Sequence, residues 1–213
     1  LLHWRGLRHL EAEQRAHRWT RYCSPGVAGR TLVLVGAGDL ARGCATLARA
    51  FGLHSIAVAR AAGRARAHDA LFDEIAPVTA LHAALARADA VVATVPHTQA
   101  TENLLDAAAF AACRPGAVFI NIARGQVVDE TALLAALRSG HIGFAALDVA
   151  RSEPLPADSP FWDLPNVLIS PHSASTVASE NAGITDIFLH NLGCWLTGRL
   201  GEMRNVLDRK LMY

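Results

Sequence analysis

The sequence predicts an α/β fold with a doubly wound parallel sheet, and three features carry that expectation. Residues 31–43, TLVLVGAGDLARG, pass from a short aliphatic run through two glycines into an amphipathic stretch. Further short apolar runs lie at 55–59, 90–95, 118–122, 144–147 and 167–170, with helical stretches between most of them. Polar and charged residues collect just after these runs, at Arg60, Pro96-His97-Thr98, 121–125, Asp148 and Pro171-His172. Alternation of strands and helices on this scale builds a parallel sheet covered on both faces.

Taken in order, residues 1–20 set Leu7, Leu10 and Trp19 among Arg5, Arg8, Glu11, Glu13, Arg15 and Arg18, the pattern of an amphipathic helix. Pro25-Gly26 reads as the turn that closes it. Leu32-Val33-Leu34-Val35 lacks polar alternation, as expected of a strand buried on both faces. Gly36 can take a tight or left-handed backbone, and Gly38 lets a ligand's phosphate approach the main chain. The helix that follows aims its free N–H groups at the same spot, so GxGxxA, with Ala41 where a third glycine is common, reads as a Rossmann-like pyrophosphate site. Glycine pairs also occur in plain packing turns, and the motif alone does not separate the two. Asp39 suits a first helical turn but would repel a pyrophosphate, so its side chain is expected to point away.

The run 55–59, SIAVA, completes a βαβ unit. NAD-binding units commonly end this strand on an acid that takes the ribose 2′-hydroxyl; here the place holds Ala59 and then Arg60, with Arg64 and Arg66 in the same loop. A 2′-phosphate would gain charge-assisted hydrogen bonds there, so NADP is preferred over NAD, although loop arginines are commonly just solvated. Further on, Asp129 reads as the N-cap of a helix through Leu133, Leu134 and Leu137, and Gly140 as its end. Four prolines make 153–165 an extended loop. A last helix, from 175 to about 197, carries Ile184, Ile187, Leu192 and Trp195 on a largely apolar face.

Composition narrows the function. The 213 residues are enough for a sizeable core, and 52% hydrophobic content with 6% aromatics fits a helix-flanked sheet. A net charge of +1 with interspersed signs points to neither nucleic acid nor a membrane surface as partner. No stretch reads as a membrane span or a signal peptide. Cys23, Cys44, Cys113 and Cys194 form no CxxC, which favours free thiols in a reducing cytoplasm. The ten histidines form no ligand pair at helix or finger spacing, so no metal is expected. The sequence begins at Leu1, inside a helical-looking segment, and reads as a piece of something longer.

In an open parallel sheet the carboxyl ends of the strands line the ligand crevice, so the residues after each run should share one edge. Among them, Arg124, Glu153 and His172 suggest one reaction. A guanidinium fork holds a carboxylate and polarises a neighbouring carbonyl. His172 can hand a proton to that carbonyl oxygen during reduction or take one from a hydroxyl during oxidation, and Glu153 against the imidazole would orient it and favour its protonated form. Hydride would come from a nicotinamide ring whose carboxamide Asp148 could fix. Each residue also has a plainer reading: Arg124 as a surface ion-pair partner, Glu153 as solvated, His172 as a helix-entry residue, Asp148 as the cap of a turn.

The stretches GAGDLA, ADAVVATVPHTQAT, CRPGAVFINIARGQVVDETALLAALRSGHIGFAALDV, SEPLPADSPFWDLPNVLISPHSAS and NVLDRKLMY resemble the D-isomer-specific 2-hydroxyacid dehydrogenase family, in order and over nearly the whole chain. The resemblance implies that the family's catalytic arginine falls on Arg124, its glutamate on Glu153 and its histidine on His172. It implies cofactor contacts at Gly36, Gly38, Asp39, Leu40, Arg60, Val95, Pro96, Ile122, Ala123, Arg124, Asp148 and His172. Arg60 and the closing VLDRKLMY resemble the glyoxylate and hydroxypyruvate reductase branch, which uses NADPH. Ala150-Arg151-Ser152 departs from the family's more aromatic lead-in to the glutamate. The family's N-terminal substrate domain, about a hundred residues whose backbone amides grip the substrate carboxylate, has no counterpart here. The implied organisation is a linking helix at 1–24, an NAD(P)-binding domain at 25–174 and a C-terminal helix and tail at 175–213. The implied activity is hydride transfer between NAD(P)H and a small 2-keto acid to give a D-2-hydroxy acid, in a homodimer joined through this domain. A non-catalytic, dinucleotide-binding or dimerising remnant of the family is the alternative.

Overall fold

The structure, a computed structural model, describes residues 1–60 and 70–207. It divides into two compact units, Leu1–Ser170 and Pro171–Tyr213.

The described residues of the first unit form seven strands, β1 (Thr31–Val35), β2 (His54–Ala59), β3 (Glu74–Pro77), β4 (Ala90–Ala93), β5 (Ala117–Asn121), β6 (Ile142–Leu147) and β7 (Val167–Ile169). All pair in parallel, in the order β3-β2-β1-β4-β5-β6-β7, so the chain winds outward from β1 in both directions. This is the doubly wound α/β fold. Its helices are α1 (Leu7–Arg15), α2 (Asp39–Ala50), α3 (Leu81–Leu85), α4 (Ala107–Ala112) and α5 (Glu130–Arg138).

The absence of polar alternation in β1 has a direct structural counterpart. Val33 and Val35 enter one core with Ile56, Val91, Phe119 and residues of α3, α4 and α5, whereas Leu32 and Leu34 enter a second core on the opposite face. That second core takes its helix wall from α2, whose Ala41, Ala45 and Ala48 are buried. Spacing of four and three residues puts these alanines on one stripe, and their small side chains let the helix lie close on the sheet.

The caps follow the local sequence. Asp106 accepts a hydrogen bond from the Ala109 amide at the start of α4. Asp129 accepts from the Thr131 and Ala132 amides at the start of α5, and Gly140, at φ 77°, follows the end of that helix.

Several expectations need correction. The strands expected at 90–95 and 167–170 stop at Ala93 and Ile169, and those at 118–122 and 144–147 begin earlier, at Ala117 and Ile142. Strand β3 was not expected; its four residues, EIAP, are too short and too mixed to stand out, and they sit at the sheet edge, where the terminal proline is tolerated. The helix over residues 1–20 shrinks to Leu7–Arg15. Gly6, at φ 63°, separates it from the turn before, and His17, at φ 52°, stops it, with the Arg18 amide reaching back to the Glu13 carbonyl. Leu7, Leu10 and Trp19 are exposed, and it is Leu2 and Trp4 that pack on the second core. The turn that leads into β1 lies at Ala28-Gly29 rather than Pro25-Gly26.

The second unit is built on α6 (Glu180–Leu196), five residues later in onset than expected from 175. Ile184, Leu192 and Trp195 are exposed and Ile187 is half-buried. The tail folds back on this helix: Asn191 donates to the Arg204 carbonyl and accepts from the Arg204 amide, both at 2.8 Å.

Candidate active site

The carboxyl ends of β1, β2, β4, β5 and β6 bring most of the singled-out residues to one edge of the first unit. After β1 the chain turns at Gly36, whose φ of 118° excludes ordinary side chains and whose Cβ, if present, would meet Thr94 Oγ1 at 2.6 Å. The turn is thus pressed against the chain leaving β4, where Thr94 donates to the Val35 carbonyl at 2.9 Å. Gly38 differs. It is extended at φ −81°, it is the N-cap of α2, and among the described residues none beyond its chain neighbours and its own helix comes within 4 Å of where its Cβ would stand. Unlike α4 and α5, whose N-cap aspartates accept from the first turn of amides, α2 has a glycine as its N-cap, with no cap side chain to accept from them. A negative group can take that role, which is the condition for holding a pyrophosphate. Asp39 and Leu40, the first residues of α2, are exposed.

Arg60 follows the last residue of β2 and is exposed. Because Val35 pairs with Val58, Arg60 leaves the sheet at the same edge as Gly36. Arg64 and Arg66 lie outside the described residues. Val95 and Pro96, after β4, are half-buried, and the Pro96 carbonyl accepts from Thr101 Oγ1 at 2.7 Å.

The turn after β5 is held by Asn121, which the sequence places at the strand end without marking it for a role. Asn121 is 2% exposed, accepts from the Ala123 amide at 3.1 Å and donates to the Arg124 carbonyl at 3.2 Å. Its side chain closes a small ring around Ile122 and buried Ala123 and delivers Arg124 outward, exposed, with Nη1 donating to the Ala123 carbonyl. Gly125 is buried, and a Cβ on it would lie 2.0 Å from the Ala150 carbonyl carbon. The backbone beside Arg124 therefore lies against the segment that leads from Asp148 to Glu153. The Asp148 amide donates to the Asn121 carbonyl, and Glu153 Oε1 accepts from the Ala150 amide at 3.0 Å. A polar residue ending a buried strand, immediately before an arginine and a glycine, was the available signal for Asn121.

Arg124, Asp148 and Glu153 thus belong to one stitched edge of the first unit. His172, at φ 52°, opens the second unit, and its relation to Glu153 belongs to the proposal below. Among the described residues, no group of three or more His, Cys, Asp or Glu is placed to hold a metal ion, and no helix is long and apolar enough to cross a membrane.

Comparison with known proteins gives a consistent result. Residues 1–174 match the family described as D-isomer specific 2-hydroxyacid dehydrogenase, NAD binding domain. The chain is 37% identical over 191 residues to D-3-phosphoglycerate dehydrogenase of Mycobacterium leprae, covering 86% of this chain and 34% of that one. It is 46% identical over 116 residues to glyoxylate/hydroxypyruvate reductase B of Citrobacter koseri, covering 54% of this chain and 36% of that one. Among solved structures, the NADPH-dependent glyoxylate/hydroxypyruvate reductase of Sinorhizobium meliloti, in complex with NADP and sulfate, matches with a TM-score of 0.87 at 32% identity. That match covers all of this chain and 66% of the other. The chain therefore spans about a third of the length of the two curated relatives.

Proposed function

We propose, from the premise that this chain belongs to the D-isomer specific 2-hydroxyacid dehydrogenase family and carries its NAD-binding domain, that it serves hydride transfer between NADPH and a small 2-keto acid of the glyoxylate or hydroxypyruvate type. The observation that carries the reading is the paired edge: the open, glycine-capped end of α2 beside Arg60, and the stitched loops presenting Arg124 and Glu153. The relatives named for phosphoglycerate and for glyoxylate share the domain, so the choice of keto acid rests on the likeness to the reductases, and the choice of NADPH on Arg60.

In this reading the amides of the first turn of α2, beside Gly38, hold the pyrophosphate, and Arg60 pairs with the 2′-phosphate. Val95, Pro96, Ile122 and Ala123 line the dinucleotide, and Asp148 accepts from the carboxamide of its ring. When bound, the cofactor supplies the hydride. Arg124 grips the substrate carboxylate through two parallel hydrogen bonds and polarises the carbonyl. His172 gives its proton to the developing alkoxide as the carbonyl carbon accepts hydride, and the family likeness assigns to Glu153 the role of orienting that imidazole. A second copy of the chain is the partner we carry over from the family likeness. With all four cysteines free, the setting we propose is a reducing cytoplasm.

The test is His172→Asn in the protein supplied with NADPH and glyoxylate or hydroxypyruvate. Turnover should fall about a hundred- to ten-thousandfold while NADPH affinity stays within about twofold, because proton transfer by a positioned side chain contributes that much. A variant turning over at the wild-type rate would remove the histidine from the reaction. A wild type that binds the dinucleotide without turnover would favour a non-catalytic binding module.

A further inference from the structure

Arg151 departs from the family's aromatic lead-in to the glutamate, and the structure gives it an unusual number of ties. Its amide donates to Glu130 Oε1 at 2.6 Å, and its carbonyl accepts from Gln126 Nε2 at 3.3 Å. Its guanidinium donates to Asn103 Oδ1 at 2.9 Å and pairs with a Glu102 carboxylate oxygen. The other Glu102 oxygen meets His97 Nε2, and the bonds from His97 and Arg151 hold the Glu102 carboxyl below its ordinary range. Asn103, at φ 48°, is itself fixed, with its amide on the Gln126 carbonyl.

These partners come from the connections after three different strands. Glu102 and Asn103 follow β4, Gln126 and Glu130 follow β5, and Arg151 follows β6, two residues before Glu153. At the same place Gly125 lies against the Ala150 carbonyl and the Arg151 amide, so the backbone next to Arg124 and the backbone next to Glu153 share one contact surface. We infer that Arg151 is a positioning residue, which by clasping Glu102 and Asn103 sets the seating of Glu153 against the Arg124 turn. The inference rests on the roles proposed above for Arg124 and Glu153.

The clasp is suited to placement more than to stability. Arg151 and Glu102 side chains are 39% and 37% exposed, a setting in which ion pairs contribute little to folding. Misplacing a reacting group by about 1 Å, in contrast, costs on the order of a hundredfold in rate.

Arg151→Met keeps the apolar stem and removes the guanidinium's bonds to Glu102, Asn103 and the Val128 carbonyl, whereas Arg151→Lys keeps the charge for Glu102 and loses the fork. Two readouts test the clasp. Amide hydrogen exchange at Ala150, whose N–H is bound to Glu153, should speed up at least about tenfold in Arg151→Met, with the core amides of Val33 and Ile56 unchanged. In turnover of NADPH with glyoxylate, Arg151→Met should lower kcat about tenfold to a hundredfold and leave KM for NADPH within about twofold, with Arg151→Lys recovering part of kcat. Unchanged exchange at Ala150, or a wild-type kcat in Arg151→Met, would overturn the inference. Glu153→Gln, measured beside them, separates the two levels: if it leaves kcat intact, the role proposed for Glu153 fails and the inference falls with it. If Glu153→Gln lowers kcat while Arg151→Met does not, the role stands and only the clasp is wrong.

Discussion

The turns after β1 and β5 both carry glycine, both lie at the carboxyl edge of the sheet, and are built on opposite plans. After β5 the turn around Arg124 is tied to protein: Asn121 bridges Ala123 and Arg124, Asp129 caps α5, and Gly125 is pressed on the backbone of Ala150. After β1 a Cβ on the glycine at the helix start would meet nothing within 4 Å among the described residues, and the N-cap itself has no side chain to close the first helical turn. A turn that must hold one of its own side chains in place satisfies its hydrogen bonds internally. One that must receive a charged ligand leaves donors for it, at some cost to its own stability.

Substitutions at the glycines should separate the two plans, and the largest effect is expected at Gly125. A Cβ there meets backbone on both residues of the facing segment, which cannot yield as a side chain can. Gly125→Ala should destabilise the protein by about 3 kcal/mol, at the upper end for overpacking, and a urea melt within about 1 kcal/mol of wild type would contradict the contact.

Gly38→Ala should do the reverse. With open space around the site and φ −81°, the melt should be unaltered. Calorimetric titration with NADPH should nevertheless show affinity down about tenfold to a hundredfold, the worth of one charge-assisted bond at about 1.5–3 kcal/mol. Equal affinity would detach the glycine from the pyrophosphate.

A smaller change is expected at Arg60, because an exposed contact is screened. Wild type should prefer NADPH over NADH by about tenfold, and Arg60→Ala should erase that preference. A preference that survives the substitution would assign the selectivity elsewhere.

Asp129→Ala on the satisfied side should give the smallest effect, about 1 kcal/mol of stability from the lost cap, read from the shift in urea midpoint.

Much of this was legible locally. The unbroken aliphatic run of β1, the glycines behind it and the Asp129 and Gly140 limits of α5 are each set by a few consecutive residues, and the strand ends where Arg60, Pro96, Arg124 and Asp148 follow came close to their observed places. Misreadings arose where local pattern competed with something else. The periodicity of residues 1–20 suggested one helix, but left-handed residues at Gly6 and His17 confine it to Leu7–Arg15. The EIAP strand carries too little local signal and exists because β2 offers it an edge to pair with.

By itself the sequence determined the strand–turn–helix order, the winding of a parallel sheet and the chemistry available at its edge, because those depend on side-chain periodicity and turn residues within a span of a few positions. Tertiary structure alone decided that Gly125 lies on Ala150, that the Asp148 amide reaches the Asn121 carbonyl, and that Arg151 reaches back to Glu102 and Asn103. Those contacts join loops that follow different strands. No residue in one such loop signals its partner in another until the register of the sheet has brought the two within hydrogen-bonding reach.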